Sequence, residues 1–337
     1  MLKAVILAGG VRASQEVDGL PRSLWPFPTE SLLAGVIRFL QERGVEAIAI
    51  CANGHSAQVK AALADAFTNI HYAEDRVPRG PAGCIRDLQA WIGDDSFLVV
   101  QGTGHFNIDL NALLTEHAET KAAITVAAKG HKDALEPAGI YAMSSAVFGL
   151  ISDVGFQDIK EQLLPKAREA KLGVRVHRVR GSVHLIHTAE QYLAALPAAI
   201  TAAHHHVKHV ECGYECPQAQ MAIHTSAKVH PSARLVGPVW VDADVTIDAN
   251  AIVVGPAIIG AGSHVGMGAF VHGSVLLAGS AVGSHAHVHN DVIAPGEAVG
   301  GQKAPVTANP TVAEKKRSFA SRVAGTFFAS ASAVKQA

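Results

Sequence analysis

The chain has 337 residues, a formal net charge of −1, 49% hydrophobic residues and only 17% charged ones. That length points to two domains, and the near-zero charge excludes the broad basic field that nucleic acid or a membrane surface requires. Four cysteines (Cys51, Cys84, Cys212, Cys216) are too few and too scattered for a disulfide scaffold, and Met1–Gly10 reads as a strand rather than a leader, so a cytoplasmic location is expected.

Lys3–Leu7 is a short apolar run ended by Ala8-Gly9-Gly10, the pattern of a buried parallel strand opening into a glycine turn. Ser31–Arg43 predicts a helix with Leu33, Val36, Ile37 and Leu40 on one face and Gly44 as its stop. Ala47–Cys51 predicts a second strand, Ser56–Phe67 a helix, and Asn69–Tyr72 a short strand. Gly83–Trp91 then predicts a helix and Ser96–Gln101 a further buried strand. This alternation is that of an α/β domain with a doubly wound, mostly parallel sheet and right-handed crossovers. Ligands of such sheets sit outside the carboxyl ends of the strands. The candidate site is therefore Ala8–Arg12, Arg79–Gly83 and Gly102–His105. Ala122–Ala127 and Gly139–Met143 predict two more strands, Gln157–Ala167 a helix, Val174–Val179 a strand and Ala189–His205 a helix rich in Ala and Leu.

His206–Ala222 reads as a linker. His204-His205-His206, His209, Cys212 and Cys216 have the residue types of soft metal ligands but not the spacing of a zinc site, so they read as a polar helix end and linker. Beyond it, every sixth residue is a branched aliphatic: Ile223, Val229, Leu235, Val241, Ile247, Val253, Ile259, Val265, Val271 and Leu277. That period fits neither a helix nor an ordinary strand. It predicts a left-handed parallel β-helix, in which three hexapeptides close one triangular coil. The period slips after Leu277, since position 283 is Gly and the aliphatics move to Val282 and Val288. Ser284–Gly301 reads as a last, irregular coil. The expected divisions are 1–205, a linker 206–222, the β-helix 223–301 and a tail 302–337.

Flat faces rich in small residues predict a homo-oligomer built through the β-helix. In the tail, Phe319, Val323 and Phe327 make one helical stripe beside Lys315, Lys316, Arg317 and Arg322. That pattern suits a helix docking on a membrane surface or a protein partner, or else a frayed end or a helix packed on the prism.

Residues 1–197 resemble the sugar-1-phosphate nucleotidylyltransferases, or NDP-sugar pyrophosphorylases. The resemblance rests on Leu7-Ala8-Gly9-Gly10, on Pro21-Arg22-Ser23-Leu24-Trp25-Pro26 (the family's P-K-x-L-x-P) and on Arg79-Gly80-Pro81-Ala82-Gly83 (its L-G-T-A-G). It extends to Ala138-Gly139-Ile140-Tyr141, to Phe156-Gln157-Asp158-Ile159 through Leu164-Pro165, and to His187-Thr188-Ala189-Glu190-Gln191-Tyr192-Leu193. Several family members carry a left-handed β-helix after this domain. The resemblance implies catalytic positions at Arg12 and Arg22. It implies nucleotide binding by Leu7, Ala8, Gly9, Gly10, Gly80, Ala82, Gly83, Gly102 and Thr103, and sugar binding by Glu136 and Gly139.

The family's Mg²⁺ is held by an Asp in a G-D motif and an Asp in a W-x-D-I-G-T motif. Thr103 and Leu185 stand at those two places, and a Leu cannot ligate a metal. No residue is therefore assigned to a metal. The Gly-Thr pair between Gly10 and Arg12 is missing. A loop over Ala128–Pro137 replaces the family's longer connection, leaving Glu136-Pro137 as the remnant of its E-K-P segment. The expectation is a protein of nucleotide-sugar or polysaccharide biosynthesis that binds a nucleotide or sugar phosphate, with catalysis impaired or lost. Mg²⁺ is implied only if catalysis is retained. One alternative is an active enzyme with substitute ligands among Asp109, His105, His184 and His187. Asp109 also reads as a helix cap, and His184 and His187 as half-buried polar residues filling the empty site. The other alternative is an acyltransferase working through the prism, with His272 or His285 as general base.

Overall fold

The computed structural model describes residues 1–9, 19–73, 79–131, 134–207, 213–218 and 220–300. The expectations for Gly10, Arg12, His209, Cys212 and the tail lie outside the described residues. The chain forms two compact units. One draws on the described parts of 1–14, 21–24 and 32–186, the other on those of 15–20, 25–31 and 187 onward.

The first unit runs β1 (Lys3–Leu7), α1 (Leu32–Gln41), β2 (Ala47–Cys51), α2 (Ser56–Leu63), β3 (Ile70–Ala73), α3 (Gly80–Asp87), α4 (Gln89–Ile92) and β4 (Phe97–Gln101). It continues with β5 (Gly104–Ile108), α5 (Leu110–Thr120), β6 (Ile124–His131), β7 (Ala134–Met143), α6 (Leu164–Glu169), β8 (Val174–Arg178) and β9 (Gly181–Leu185). Seven strands form one sheet in the order β3-β2-β1-β4-β7-β6-β8, in which β7 runs antiparallel to both neighbours and the other pairings are parallel. β1 is apolar from Ala4 to Leu7 because both of its faces are covered. Ala4 and Ile6 face a core built with α1, α2 and α5, whereas Val5 faces one built with α3, α4 and α6.

Several local expectations need correction. The third helix starts at Gly80, three residues early, and breaks at Leu88. The Gln157–Ala167 segment enters α6 through a π-turn over Ile159–Leu163, whose first N–H groups are capped by Asp158 (Lys160 N at 2.6 Å, Glu161 N at 2.9 Å). Ala128–Pro137 is not a loop: β6 and β7 run on as an antiparallel hairpin to the pair His131–Ala134, with an irregularity between Val126 and Ala128. Neither α5 nor the antiparallel ribbon β5–β9, whose strands lie far apart in sequence, was expected.

The second unit opens with α7 (Ala189–Val207) and the segment 25–31, joined where the Tyr192 hydroxyl donates to Pro26 O (2.5 Å) and its ring meets Trp25 edge-on. There follow β10 (Tyr214–Glu215), β11 (Met221–His224), β12 (Lys228–Val229), β13 (Arg234–Val236), β14 (Val239–Val241), β15 (Thr246–Ile247), β16 (Ile252–Val254) and β17 (Ala257–Ile259). The series closes with β18 (His264–Val265), β19 (Phe270–His272), β20 (Val275–Leu276), β21 (Ala281–Val282), β22 (His287–His289), β23 (Val292–Ile293) and β24 (Ala298–Val299).

These strands form three parallel ladders: β11-β14-β17-β20-β23, β12-β15-β18-β21-β24 and β13-β16-β19-β22. That is the β-helix the hexapeptide period predicts. Val241, Ile247, Val253, Ile259, Val265 and Val271 fill its interior, with Ile223, Val229 and Leu235 half-buried at the first coil. β10 runs antiparallel on β11 and covers the first edge of its ladder.

The slip in the period falls before Leu277, not after it. Gly255-Pro256-Ala257 leads to Ile258, but Gly273-Ser274 leads directly to Val275, so the coil loses one residue there. Ile252 pairs 18 residues on (252 to 270), whereas Ile258 pairs 17 on (258 to 275). Leu276 therefore joins the interior with Val282, Val288 and Ile293, and Leu277 is buried outside that cluster. The last coil, expected to be irregular, keeps the 17-residue register, with Phe270 paired to His287 and Ala281 to Ala298.

Candidate functional site

The carboxyl ends of β1, β2 and β4 meet. The Ala8 and Gly9 N–H groups both donate to Cys51 O (2.9 Å each), and the Gly102 N–H donates to Leu7 O (2.9 Å). Glycine is required where the turn is this close. A Cβ on Gly9 would lie 2.6 Å from Asn53 Cβ, and one on Gly102 would lie 3.0 Å from both Ala8 Cα and Ala8 Cβ. Asn53 itself sits at φ 38°, and its Oδ1 accepts from Cys84 Sγ at 3.7 Å. Sequence reasoning passed over Asn53. The Asn53-Gly54 pair directly after an apolar strand was the available signal, since Asn tolerates the left-handed region.

Gly80, Ala82 and Gly83 form the first turn of α3 rather than a free loop. Gly80 has φ 75°, and a Cβ there would lie 2.6 Å from Gln157 O and 2.9 Å from the Phe156 ring. The Ala82 N–H donates to Gln157 O (3.0 Å), and the Gln157 N–H donates to Arg79 O (2.7 Å). The Arg79 guanidinium is held by Asp87 and by Ser152 O (2.7 Å to the latter). One backbone donor of the expected cradle thus already serves the chain itself. Arg22 lies in a single 3₁₀ turn, Arg22–Leu24, that packs on α1, and it is only 5% exposed.

The two positions where the resemblance would place metal-binding carboxylates do come together. Gly104 pairs with Leu185 across the β5–β9 ribbon, and the Ile186 N–H donates to Thr103 O at 3.1 Å. Leu185 packs over Gly139: a Cβ on that glycine, whose φ is 75°, would lie 2.7 Å from Leu185 Cδ2 and 3.2 Å from Gln101 Cβ. His105 and His184 are direct cross-strand partners, with ring centroids 6.3 Å apart. Strand alternation turns both away from the Leu185 face. Burial, and secondly the neighbouring His184, hold His105 below the usual imidazole range.

Asp109 caps α5, its carboxylate accepting from Ala112 N at 3.2 Å, so the cap reading describes it. The His187 N–H donates to Gln191 Oε1 (2.7 Å) ahead of α7. Glu136 is exposed on the hairpin opposite Lys129, whose Nζ donates to Val183 O (3.3 Å). On the prism, His285 occupies a corner at φ 59° with its ring over Gly268, whereas His272 pairs with His289. Cys51, Cys84 and Cys216 are in no disulfide.

Residues 4–209 match the family described as the MobA-like NTP transferase domain. The chain belongs to that family. The D-glycero-alpha-D-manno-heptose 1-phosphate guanylyltransferase of Aneurinibacillus thermoaerophilus is 22% identical over 136 residues, which are 39% of this chain and 59% of that protein. The match thus spans less than two thirds of the length of that curated relative. A structure from Bacillus anthracis, provisionally assigned as a glucose-1-phosphate thymidylyltransferase and solved with sucrose, superposes with a TM-score of 0.50 at 18% identity. It covers 59% of this chain and 95% of its own. At that identity the likeness is one of fold, and it agrees with the α/β reading of the MobA-like domain.

The MobA-like domain's residues do not fit Mg²⁺ at the positions the motifs assign. Mg²⁺ is a hard cation that requires oxygen ligands in a near-octahedral array. Thr103 is 6% exposed with its carbonyl engaged, and the Leu185 side chain offers no ligand atom. Among the described residues no three His, Cys, Asp or Glu side chains converge as a metal site would need. No helix among them is long and apolar enough to cross a membrane.

Proposed function

We propose that the MobA-like domain binds a nucleotide or a sugar phosphate at the ends of β1, β2 and β4, and that metal-dependent nucleotidyl transfer is impaired or lost. The reading is supported above all by Leu185, packed over Gly139 beside Thr103 where two carboxylates would be needed. Transfer between two anions depends on charge neutralisation. Losing the metal removes several kcal/mol of transition-state stabilisation, on the order of 10³-fold or more in rate. Binding asks less. The Ala8-Gly9 turn, Gly102 and Asn53 keep a close-packed backbone edge at the strand ends, where ligands of this sheet class sit. The role that follows is a scaffold or ligand sensor in nucleotide-sugar metabolism.

The test is thermal unfolding with a panel of nucleoside triphosphates and nucleotide sugars, with and without Mg²⁺. A bound ligand raises the melting temperature by mass action. A rise independent of Mg²⁺ supports the proposal. A rise that requires Mg²⁺, together with pyrophosphate release, overturns the impaired-catalysis half. No response to any ligand overturns the binding half.

A further inference from the structure

The β13-β16-β19-β22 face of the prism carries outward residues on either side of the inward Leu235, Val253, Val271 and Val288. One outward column reads Val236, Val254, His272, His289. The last two are register partners in adjacent coils, and their Nδ1 atoms are 2.8 Å apart. Their ring planes differ by 11° and their centroids are 4.7 Å apart, so the rings are turned edge to edge with the two nitrogens facing. Only one proton fits between two such nitrogens.

The surroundings hold this arrangement. The Ser274 hydroxyl donates to His272 O (2.7 Å) and accepts from Asp291 N (3.1 Å), tying the two coils together beside the pair. Asn290 Nδ2 lies 3.1 Å from His289 Nε2. The Asn290 amide fits there because position 273 is glycine: a Cβ on Gly273 would lie 2.3 Å from Asn290 Oδ1. His272 is half-buried and His289 exposed, leaving one side of the pair open to water.

We propose that His272 and His289 form a two-imidazole chelate for a divalent transition-metal ion, with Cu²⁺ the strongest binder. Two cis nitrogens, each about 2.0–2.1 Å from a metal, are separated by about 2.9 Å, close to the spacing the coils already impose, and a rotation of both rings about their Cβ–Cγ bonds turns the two lone pairs from each other toward a shared ion on the open side. The ion takes the place of the shared Nδ1 proton, which moves to Nε2 of its own ring. Turned over, the Asn290 amide presents its oxygen to the His289 Nε2–H, the outer-shell contact that fixes a ligating tautomer. Water completes the remaining positions. Two imidazoles with open sites select Cu²⁺ by the general order of divalent affinities.

The experiment is Cu²⁺ titration of the full chain by calorimetry, with electron paramagnetic resonance of the one-equivalent complex. Other histidines of the chain offer background Cu²⁺ ligands, so the site is read as a difference between variants. Wild type should bind one equivalent more than H272A/H289A, with a spectrum showing nitrogen coupling from two imidazoles. H272A and H289A alone should each weaken that equivalent at least tenfold, while H287A, two residues away on the same strand and face, leaves it unchanged. Equal stoichiometry in wild type and H272A/H289A would overturn the proposal, as would an H287A effect matching that of H289A. Unchanged melting curves for H289A, an exposed position, keep loss of binding distinct from loss of fold.

Discussion

Replacing Asp242 by Asn isolates one buried charge. Asp242 is 4% exposed at the base of the prism and accepts a 2.5 Å hydrogen bond from Tyr214 OH, whose ring packs on Trp240 at 4.6 Å and on His224 at 5.1 Å. Burial dominates and pushes its carboxyl from a usual value of 3.8 up to about 6, against the opposing pull of the Tyr214 hydroxyl, the Ala243 N–H and the nearby Trp240 indole. The folded state therefore binds the proton more tightly than the unfolded state. This group's stabilising term is fully present below about pH 4 and is lost as pH rises through about 6. About two pKa units correspond to roughly 3 kcal/mol, so this residue should withdraw about that much stability between pH 4 and pH 8.

Asn keeps an acceptor for Tyr214 and never ionises. Urea unfolding of wild type and Asp242→Asn, followed by tryptophan fluorescence at intervals from pH 4 to pH 8.5, gives a difference in which every other titrating group cancels. The variant should match wild type near pH 4 and exceed it by up to about 3 kcal/mol at pH 8. A difference that stays flat with pH would refute the reasoning. So would a variant that is weaker at pH 8, because the ionised carboxylate would then be gaining more from its donors than it loses to burial.

Three further outcomes are expected. Leu276→Ala should cost about 2–5 kcal/mol by opening a cavity in the prism interior, read as a fall in the urea midpoint; a neutral result would return the inward position to Leu277. Gly139→Ala should destabilise by roughly 1–3 kcal/mol, because φ 75° is strained for any residue with a Cβ, and adding Leu185→Ala should not restore it, since removing the neighbour leaves the backbone angle unchanged. The pair Thr103→Asp with Leu185→Asp should give the ligand-bound protein a Mg²⁺-dependent rise in melting temperature of a few degrees that wild type lacks. A Mg²⁺-insensitive melt would show that the two positions do not share one metal locus.

The prism was legible because its interior takes one aliphatic side chain per six residues, a constraint few other structures impose. The slip was misread because Leu276 and Leu277 are both aliphatic, and only the coil length decides which faces inward. In the first unit, β1, β2 and β4 announced themselves as continuous apolar runs. The ribbon β5–β9 did not. Its partners GHFNI and GSVHL are too short and too mixed to signal a strand until they find each other. α5 carried a usable signal in Asp109 followed by Leu110, Leu113 and His117, all buried on one face, but its polar residues masked the period. At the site, the sequence identified the two positions that meet, Thr103 and Leu185. It could not reveal that Gln157 O occupies the Ala82 N–H, because that contact joins segments with no common motif.

The single-residue shortening at Gly273-Ser274 shows where a solenoid tolerates change in length. The columns on both sides stay aligned across it: Val254 still faces His272, and Ile259 still faces Leu276. Corner segments thus act as expansion joints, whereas one residue added beside Val253 or Val271, inside β16 or β19, would turn that strand's interior side chain outward. A short peptide tag grafted at the exposed Ala278-Gly279 corner, where a Cβ would meet nothing, should leave the ladders in step, making that corner a natural place to attach a label without disturbing either unit.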